Sequence, residues 1–316
     1  VRAAGVMSAE AASAVLEPVL AELREVCDFG AVHEGFDGVP DVDLLVTGWG
    51  CPPITEEVLA GLPSLRAIVH TAGSVKGFVT DACWERGIAV SSAAQANALP
   101  VAEYTVAMIL LSGKRVLERA REYREAKAFS VYGVPDSVGN YGTTVGILSA
   151  SMIGRRVVEL LAPYDFHVLV HDPFVTEVDG AESVGLTELF RRSDIVSVHT
   201  PLLPQTRGLV SRELLRSLRD DAVLVNTARG AVVDQEALTE EVGRIRAVLD
   251  VTDPEVLPPD HPLWHHDSVL ITPHLAGSQG NEWVRLGRHA LAEVRRWAAG
   301  EPFRTPVPAG RREHIA

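Results

Sequence analysis

Short runs of apolar, mostly β-branched residues recur along the chain. They read "RAAGVM", "LLVTG", "LRAIVHTAG", "TTVGILS", "FHVLVHD", "DIVSVHT", "AVLVNTA", "IRAVLDV" and "SVLITPH". Between most of them lie stretches with helical apolar periodicity, such as "ITEEVLAGL", "SRELLRSL" and "DQEALTEEV". Strands in a sheet with one wet face would alternate apolar and polar positions. Continuous apolar runs instead mean strands covered on both faces, and intervening helices supply parallel crossovers. The pattern therefore predicts an α/β fold built on parallel sheets.

Two breaks suggest a domain plan. "VAEYTVAMILLSGKRVLERAREYREAK" is a long helical pattern after Pro100, and it separates an early α/β block from a second that opens at Thr143. After His274, "LAGSQGNEWVRLGRHALAEVRRWAAGEPF" reads as a further helix, able to return to the first block. The expected plan is a discontinuous domain of residues 1–98 and 280–316 around a second of residues 99–279. "YGVPDSVGNYG" is the one markedly Gly/Pro-rich connector.

Length and composition agree with two cores: 316 residues, 47% hydrophobic and 22% charged. The net charge of −13 argues against nucleic acid or an anionic membrane as partner. No apolar stretch reads as long enough to span a bilayer, and the N-terminus reads as a strand and not a signal peptide. Cys27, Cys51 and Cys83 lie far apart without CxxC spacing, which suits a reducing cytoplasm better than a disulfide framework. The adjacent His265 and His266 have no third ligand at suitable spacing, so no metal site is expected.

Buried parallel strands put polar residues at their C-terminal tips, where ligands bind in open α/β sheets. The tips here are His70–Ser74, Ser149, Asp172, His199–Thr200, Asn226–Gly230, Asp250 and His274. "VGILSASMIGRRV" has the strand–turn–helix shape of a dinucleotide-binding loop, but its G-x-G-x-x-G positions read Ser149, Ser151 and Gly154. Alone, this is an ordinary turn of small residues. Asp172 changes its weight. It closes the next strand, eighteen residues after Gly154, where a carboxylate can accept hydrogen bonds from the adenine ribose. No lysine or arginine follows in "PFVTEVD" to hold a 2′-phosphate, so the loop reads as NAD-type. Ser149 costs about 1–2 kcal/mol if its position needs a left-handed backbone. The expected result is NAD binding roughly tenfold weaker than with a full glycine loop.

Taken singly, Arg229 in "NTARGAVVD" is a turn arginine, Glu255 in "DVTDPEVLPPD" a solvated loop residue, and His274 in "VLITPH" a structural histidine. Together they make a carboxylate anchor, a proton donor, and a carboxylate able to partner that donor.

The series "NTARGAVVD", "LDVTDPEVLPPDHPLW" and "VLITPHLAGS" resembles the signature motifs of the D-isomer-specific 2-hydroxyacid dehydrogenases in order, strand context and spacing. The resemblance implies two doubly wound parallel-sheet domains: a flavodoxin-like substrate domain, 1–98 with 280–316, and a Rossmann-type NAD domain, 99–279. It implies that Arg229 binds the substrate carboxylate and polarises the keto group. His274 would exchange a proton with that oxygen, and Glu255 would pair with His274 and keep it protonated. Asp250 would orient the nicotinamide carboxamide, and Gly73 and Ser74 would offer backbone N–H groups to the substrate. The full cofactor set on this reading is Ser149, Ser151, Met152, Ile153, Gly154, Asp172, His199, Thr200, Thr227, Ala228, Asp250 and Gly277. A small 2-keto or 2-hydroxy acid as substrate, NAD as cofactor and a homodimer with its interface on the helix from Val101 are implied as well.

Departures from the family's pattern matter. The Arg229–Asp250 stretch reads a few residues short, which puts its helix in question. Because no regulatory domain is read after the last helix, a serine-pathway enzyme that carries one is not the expected match. Glu255 stands where formate dehydrogenase has glutamine, which favours a hydroxy acid over formate. The competing reading is a silent NAD-binding sensor or corepressor on the same fold; a third is an enzyme with another hydride donor, such as phosphite.

Overall fold

The computed structural model describes residues 1–128, 134–135 and 137–308. Tyr132, Gly133 and Asp136 of the Gly/Pro-rich connector lie outside them, as do residues 309–316. The chain divides into two compact units, Val1–Asn97 with Ser278–Ala316, and Ala98–Gly277.

In the first unit, strands β1 (Arg2–Val6), β2 (Asp28–His33), β3 (Leu44–Thr47), β4 (Ala67–His70) and β5 (Ala89–Ser92) form one sheet in the order β2-β1-β3-β4-β5. Every pairing is parallel. This is the flavodoxin-like strand order. Between the strands run α1 (Ala9–Ala11), α2 (Leu20–Val26), α3 (Glu56–Gly61) and α4 (Asp81–Glu85). Side chains of a strand alternate between faces. Leu44 and Val46 of β3 and Ala67 and Val69 of β4 therefore enter one core with Leu23 of α2. Leu45 and Ile68 enter the other, with Leu59 of α3 and Cys83 of α4. All four residues of β3 and of β4 are buried, which is why their sequences show no polar alternation.

α5 (Ala94–Gly113) carries the chain into the second unit, and α6 (Val116–Ala126) follows. One long helix after Pro100 was expected. The structure starts it at Ala94, with Pro100 inside, and breaks it before α6, where Arg115 adopts a left-handed backbone at φ 50°. By length and composition α5 could cross a membrane, contrary to the sequence reading. Its Ala102, Val106 and Ile109 instead pack in the core of the second unit.

The second sheet contains β6 (Thr144–Leu148), β7 (His167–His171), β8 (Glu182–Ser183), β9 (Ile195–Val198), β10 (Val223–Asn226), β11 (Arg246–Leu249) and β12 (Val269–Ile271). Their order is β12-β11-β10-β9-β6-β7-β8, all parallel. α7 (Met152–Leu161), α8 (Leu186–Arg192), α9 (Arg212–Ser217) and α10 (Gln235–Glu241) lie between strands. The short Arg229–Asp250 stretch thus still holds a helix, α10. α11 (Trp283–Ala298) returns to the first unit and lays Ala290, Leu291 and Val294 against its core. The sequence pattern missed β2, β5 and the two-residue β8. β2 is an edge strand in which only Phe29 is buried, so it shows no apolar run.

Each sheet buries a histidine near its C-terminal edge. His70 Nδ1 lies 3.1 Å from Thr47 Oγ1, and His199 Nε2 lies 2.9 Å from Ser197 Oγ. Burial pushes each pKa down to about 3. An unfolded histidine titrates near 6.5, so the unfolded chain takes up these protons first. Their contribution is fully present above about pH 6.5 and is lost as pH falls toward 3, by up to about 1.4 kcal/mol per pH unit for each ring. We expect urea stability to fall across this window. His199→Gln, less stable at pH 8, should fall less steeply between pH 6 and 4; equal slopes would remove the explanation.

Candidate active site

Parallel register aligns the strand ends of the second sheet. His171, Leu148, Val198, Asn226, Leu249 and Ile271 pair in one row from β7 to β12. The residues that follow each therefore emerge along one edge. β6 lies between β7 and β9, so the chain order reverses there, and the loops after β6 and β9 flank the switch point.

The loop after β6 shows how three small residues divide the work. Ser149 adopts φ +83°, in the region that favours glycine. Its hydroxyl donates to Asp172 Oδ2 at 3.0 Å, and Ala150 N donates to the same oxygen at 2.9 Å. Phe174 N donates to Oδ1 at 2.9 Å. Ser151 is the N-cap of α7, and its Oγ accepts from Gly154 N at 3.3 Å. At Gly154 an added Cβ would sit 2.1 Å from Ser149 O, so helix and strand can meet only at a glycine. The first-turn amides of Met152 and Ile153 have no acceptor within the helix, and Met152 is exposed.

His199 and Thr200 follow β9 and are both buried; the His199 ring is held neutral by its burial. After β10, Asn226 clamps the turn that presents Arg229: its Oδ1 accepts from Ala228 N and its Nδ2 donates to Arg229 O, each at 3.0 Å. The Thr227 hydroxyl lies 3.1 Å from Thr105 Oγ1 of α5. Arg229 donates to Ala228 O at 2.6 Å. Burial of its guanidinium lowers its pKa, opposed by the negative charge of Glu255. At Gly230 a Cβ would meet the Thr252 carbonyl carbon at 2.0 Å, so this turn nests directly on the loop that leads to Glu255.

The turn after β12 is built around Asp250, which is 1% exposed. Its Oδ1 accepts from Thr272 Oγ1 at 2.6 Å and Leu275 N at 2.9 Å, and its Oδ2 from Ala276 N at 2.9 Å. His274 sits in this turn at φ +52°. Its Nδ1 lies 2.6 Å from Glu255 Oε1, with both side chains about half exposed. A carboxylate only accepts, so Nδ1–H is the donor and Nε2 is left for a ligand. Gly277 ends the second unit. Gly73 and Ser74 belong to the first unit, in the loop after β4, where Ser74 Oγ accepts from Lys76 N at 3.3 Å.

Asn226 and Gly230 stand in the sequence reading only within the strand tip Asn226–Gly230, with no role given to either, and Thr272 is not named there. Asn226 and Thr272 carried a signal, as polar residues at the ends of apolar strands. Tyr104 and Thr105, on α5, carried none.

The sequence model of the D-isomer specific 2-hydroxyacid dehydrogenase NAD binding domain matches residues 106–276. The chain is 31% identical over 274 residues to a D-3-phosphoglycerate dehydrogenase of Mycobacterium leprae, covering 83% of this chain and 50% of the relative. It thus spans about half the length of the phosphoglycerate dehydrogenases that it matches. It is 33% identical over 284 residues to a glyoxylate reductase of Thermofilum pendens, covering 83% of each. The crystal structure of a D-isomer specific 2-hydroxyacid dehydrogenase from Xanthobacter autotrophicus Py2, in complex with NADPH and MES, matches with a TM-score of 0.79 at 26% identity, covering 98% of this chain and 99% of that one. With its two parallel sheets and its motif series in register, the chain belongs to the D-isomer specific 2-hydroxyacid dehydrogenase family.

Proposed function

We propose that the chain is an NAD-dependent oxidoreductase that interconverts a small 2-keto acid and its D-2-hydroxy acid, of the glyoxylate or hydroxypyruvate reductase or phosphoglycerate dehydrogenase type. The observation that carries this reading is the 2.6 Å contact of His274 Nδ1 with Glu255 Oε1, in a site where Glu255 also acts on half-buried Arg229. The second unit is the NAD domain and the first the substrate domain. The loop after β6 suits a dinucleotide: it ends in the open N-terminus of a ten-residue helix, and Asp172 is already oriented by three donors.

Bound reduced nicotinamide supplies a hydride to the carbonyl carbon. The chain's own groups do the rest. Arg229 pairs with the substrate carboxylate, where its partial burial reduces screening by water. As charge grows on the carbonyl oxygen, His274 Nε2 hands it a proton. Glu255 fixes the ring through Nδ1, and Asp250 fixes the turn. Gly73 and Ser74 offer amides to the carboxylate.

We further propose a cytoplasmic homodimer. Its support is three free cysteines and the surface of α6, where no residue is buried and Leu117 and Tyr123 are exposed.

Following NADH absorbance with glyoxylate, hydroxypyruvate and a bulkier 2-keto acid tests the reaction. His274→Ala should lower kcat about a hundredfold or more, and Arg229→Ala should harm both KM and kcat. Full activity of His274→Ala would overturn the mechanism. Saturable NADH binding without turnover of any keto acid would favour the silent sensor.

NADH should be preferred to NADPH by tenfold or more, because the Asp172 carboxylate would repel a 2′-phosphate and no lysine or arginine follows it in "PFVTEVD". An NADPH preference would sink this claim.

A Ser149→Gly/Ser151→Gly double variant should bind NADH more tightly, by less than about tenfold. It relieves the left-handed serine but loses a hydroxyl bond to Asp172 worth about 1 kcal/mol. Fluorescence titration reads the change; weaker binding would show that the hydroxyl matters more than the strain.

A further inference from the structure

α5 reaches two strand tips with adjacent residues. Tyr104 OH lies 2.8 Å from Thr272 Oγ1, which lies 2.6 Å from Asp250 Oδ1. The direction of this chain follows from its last member. A carboxylate only accepts, so the single Thr272 hydrogen goes to Asp250, and Tyr104 must donate to Thr272. One residue on, Thr105 Oγ1 donates to Val101 O at 2.8 Å and leaves its lone pair to the Thr227 hydroxyl at 3.1 Å. One helix thus braces the tip before Arg229 and the tip before His274.

We propose that Tyr104 is a positioning residue for the reaction: its hydroxyl, through Thr272, fixes Asp250 and with it the turn that carries His274. This rests on the dehydrogenase reading of the site. Thr272 alone could rotate its hydroxyl away from Asp250, since threonine has more than one accessible rotamer. The Tyr104 bond holds the oxygen in place and aims its hydrogen at the carboxylate. Burial pushes the Tyr104 phenol up, and the Asp250 charge adds to this against the Thr272 bond, so the phenol stays a donor at working pH. Asp250 in turn holds Leu275 N and Ala276 N, the two amides after His274.

The test compares Tyr104→Phe, Thr272→Val, Thr272→Ser and the Tyr104→Phe/Thr272→Val double variant in the full chain. Two quantities are read: steady-state kcat and KM, and hydrogen exchange at the peptide containing Leu275 and Ala276. Tyr104→Phe should lower kcat roughly tenfold, the scale expected of a sub-ångström misplacement, with KM for the keto acid within about twofold. Exchange at the two amides should quicken. Thr272→Ser should stay near wild type, Thr272→Val should be at least as impaired as Tyr104→Phe, and the double variant should be no worse than Thr272→Val. Unchanged exchange in Tyr104→Phe overturns the proposal, as does faster exchange with kcat intact. If the wild type turns over no 2-keto acid, the dehydrogenase reading fails; exchange then still decides whether Tyr104 holds the turn.

Discussion

A carboxylate buried almost completely is the constraint on which the site depends. Asp250 stands 1% exposed at the end of β11, where an ion is costly unless it is fully hydrogen-bonded. Three donors meet that need, all from residues 272–276. The requirement works in both directions. The carboxylate must be satisfied, so the chain after β12 must curl around it, and a curl that tight puts His274 at φ +52°. A non-glycine residue there is strained by about 1–2 kcal/mol, and such strain persists only where the surroundings over-determine it. Here the His274 amide donates to Asp250 O at 3.0 Å as well, so main chain and side chain of one residue hold the same turn.

The same economy of position appears at the other tips. Parallel register delivers six strand ends to one row, but loops that leave them need close backbone contacts to converge. Gly230 and Gly154 supply these: in each, a Cβ would lie about 2 Å from a neighbouring backbone atom. Gly230 brings the Arg229 turn onto the Glu255 loop, and Thr252 Oγ1 then closes that loop with its hydroxyl shared between Pro254 O at 2.7 Å and Glu255 O at 2.9 Å. The Arg229 turn and the Glu255 loop are thus placed by the close approach of Gly230 and by Thr252.

Much of this was legible in the chain. β3, β4, β9 and β10 are fully buried, and their continuous apolar runs announced them. β2 has one buried residue and β8 has two residues in all, so neither writes a pattern. The break between α5 and α6 falls at Lys114–Arg115, directly after Gly113, so the glycine that ends α5 is a signal the apolar periodicity on either side of it masks. Arg229, Glu255 and His274 were named from motif order; the separation of Nδ1 and Oε1 is information that only the fold holds. Tyr104 was unreadable for a further reason. Its partner is 168 residues away, and a tyrosine on a half-buried helix is by default a packing residue.

Ser149 shows how a missing glycine can be accommodated. The left-handed turn after β6 survives without the residue that would adopt it freely. Part of the compensation lies in the side chain itself, whose hydroxyl bonds the carboxylate at the tip of β7. A glycine could not do this, and Asp172 would then rest on the Ala150 and Phe174 amides alone. Ser151, at the neighbouring position, is occupied differently. As N-cap it accepts from Gly154 N, and its own hydroxyl hydrogen remains to be donated. The two serines are therefore not equivalent losses: one exchanges backbone ease for orientation of an acid, and the other caps the helix whose open amides face outward. The shape of the loop is preserved because each serine finds a polar partner inside it.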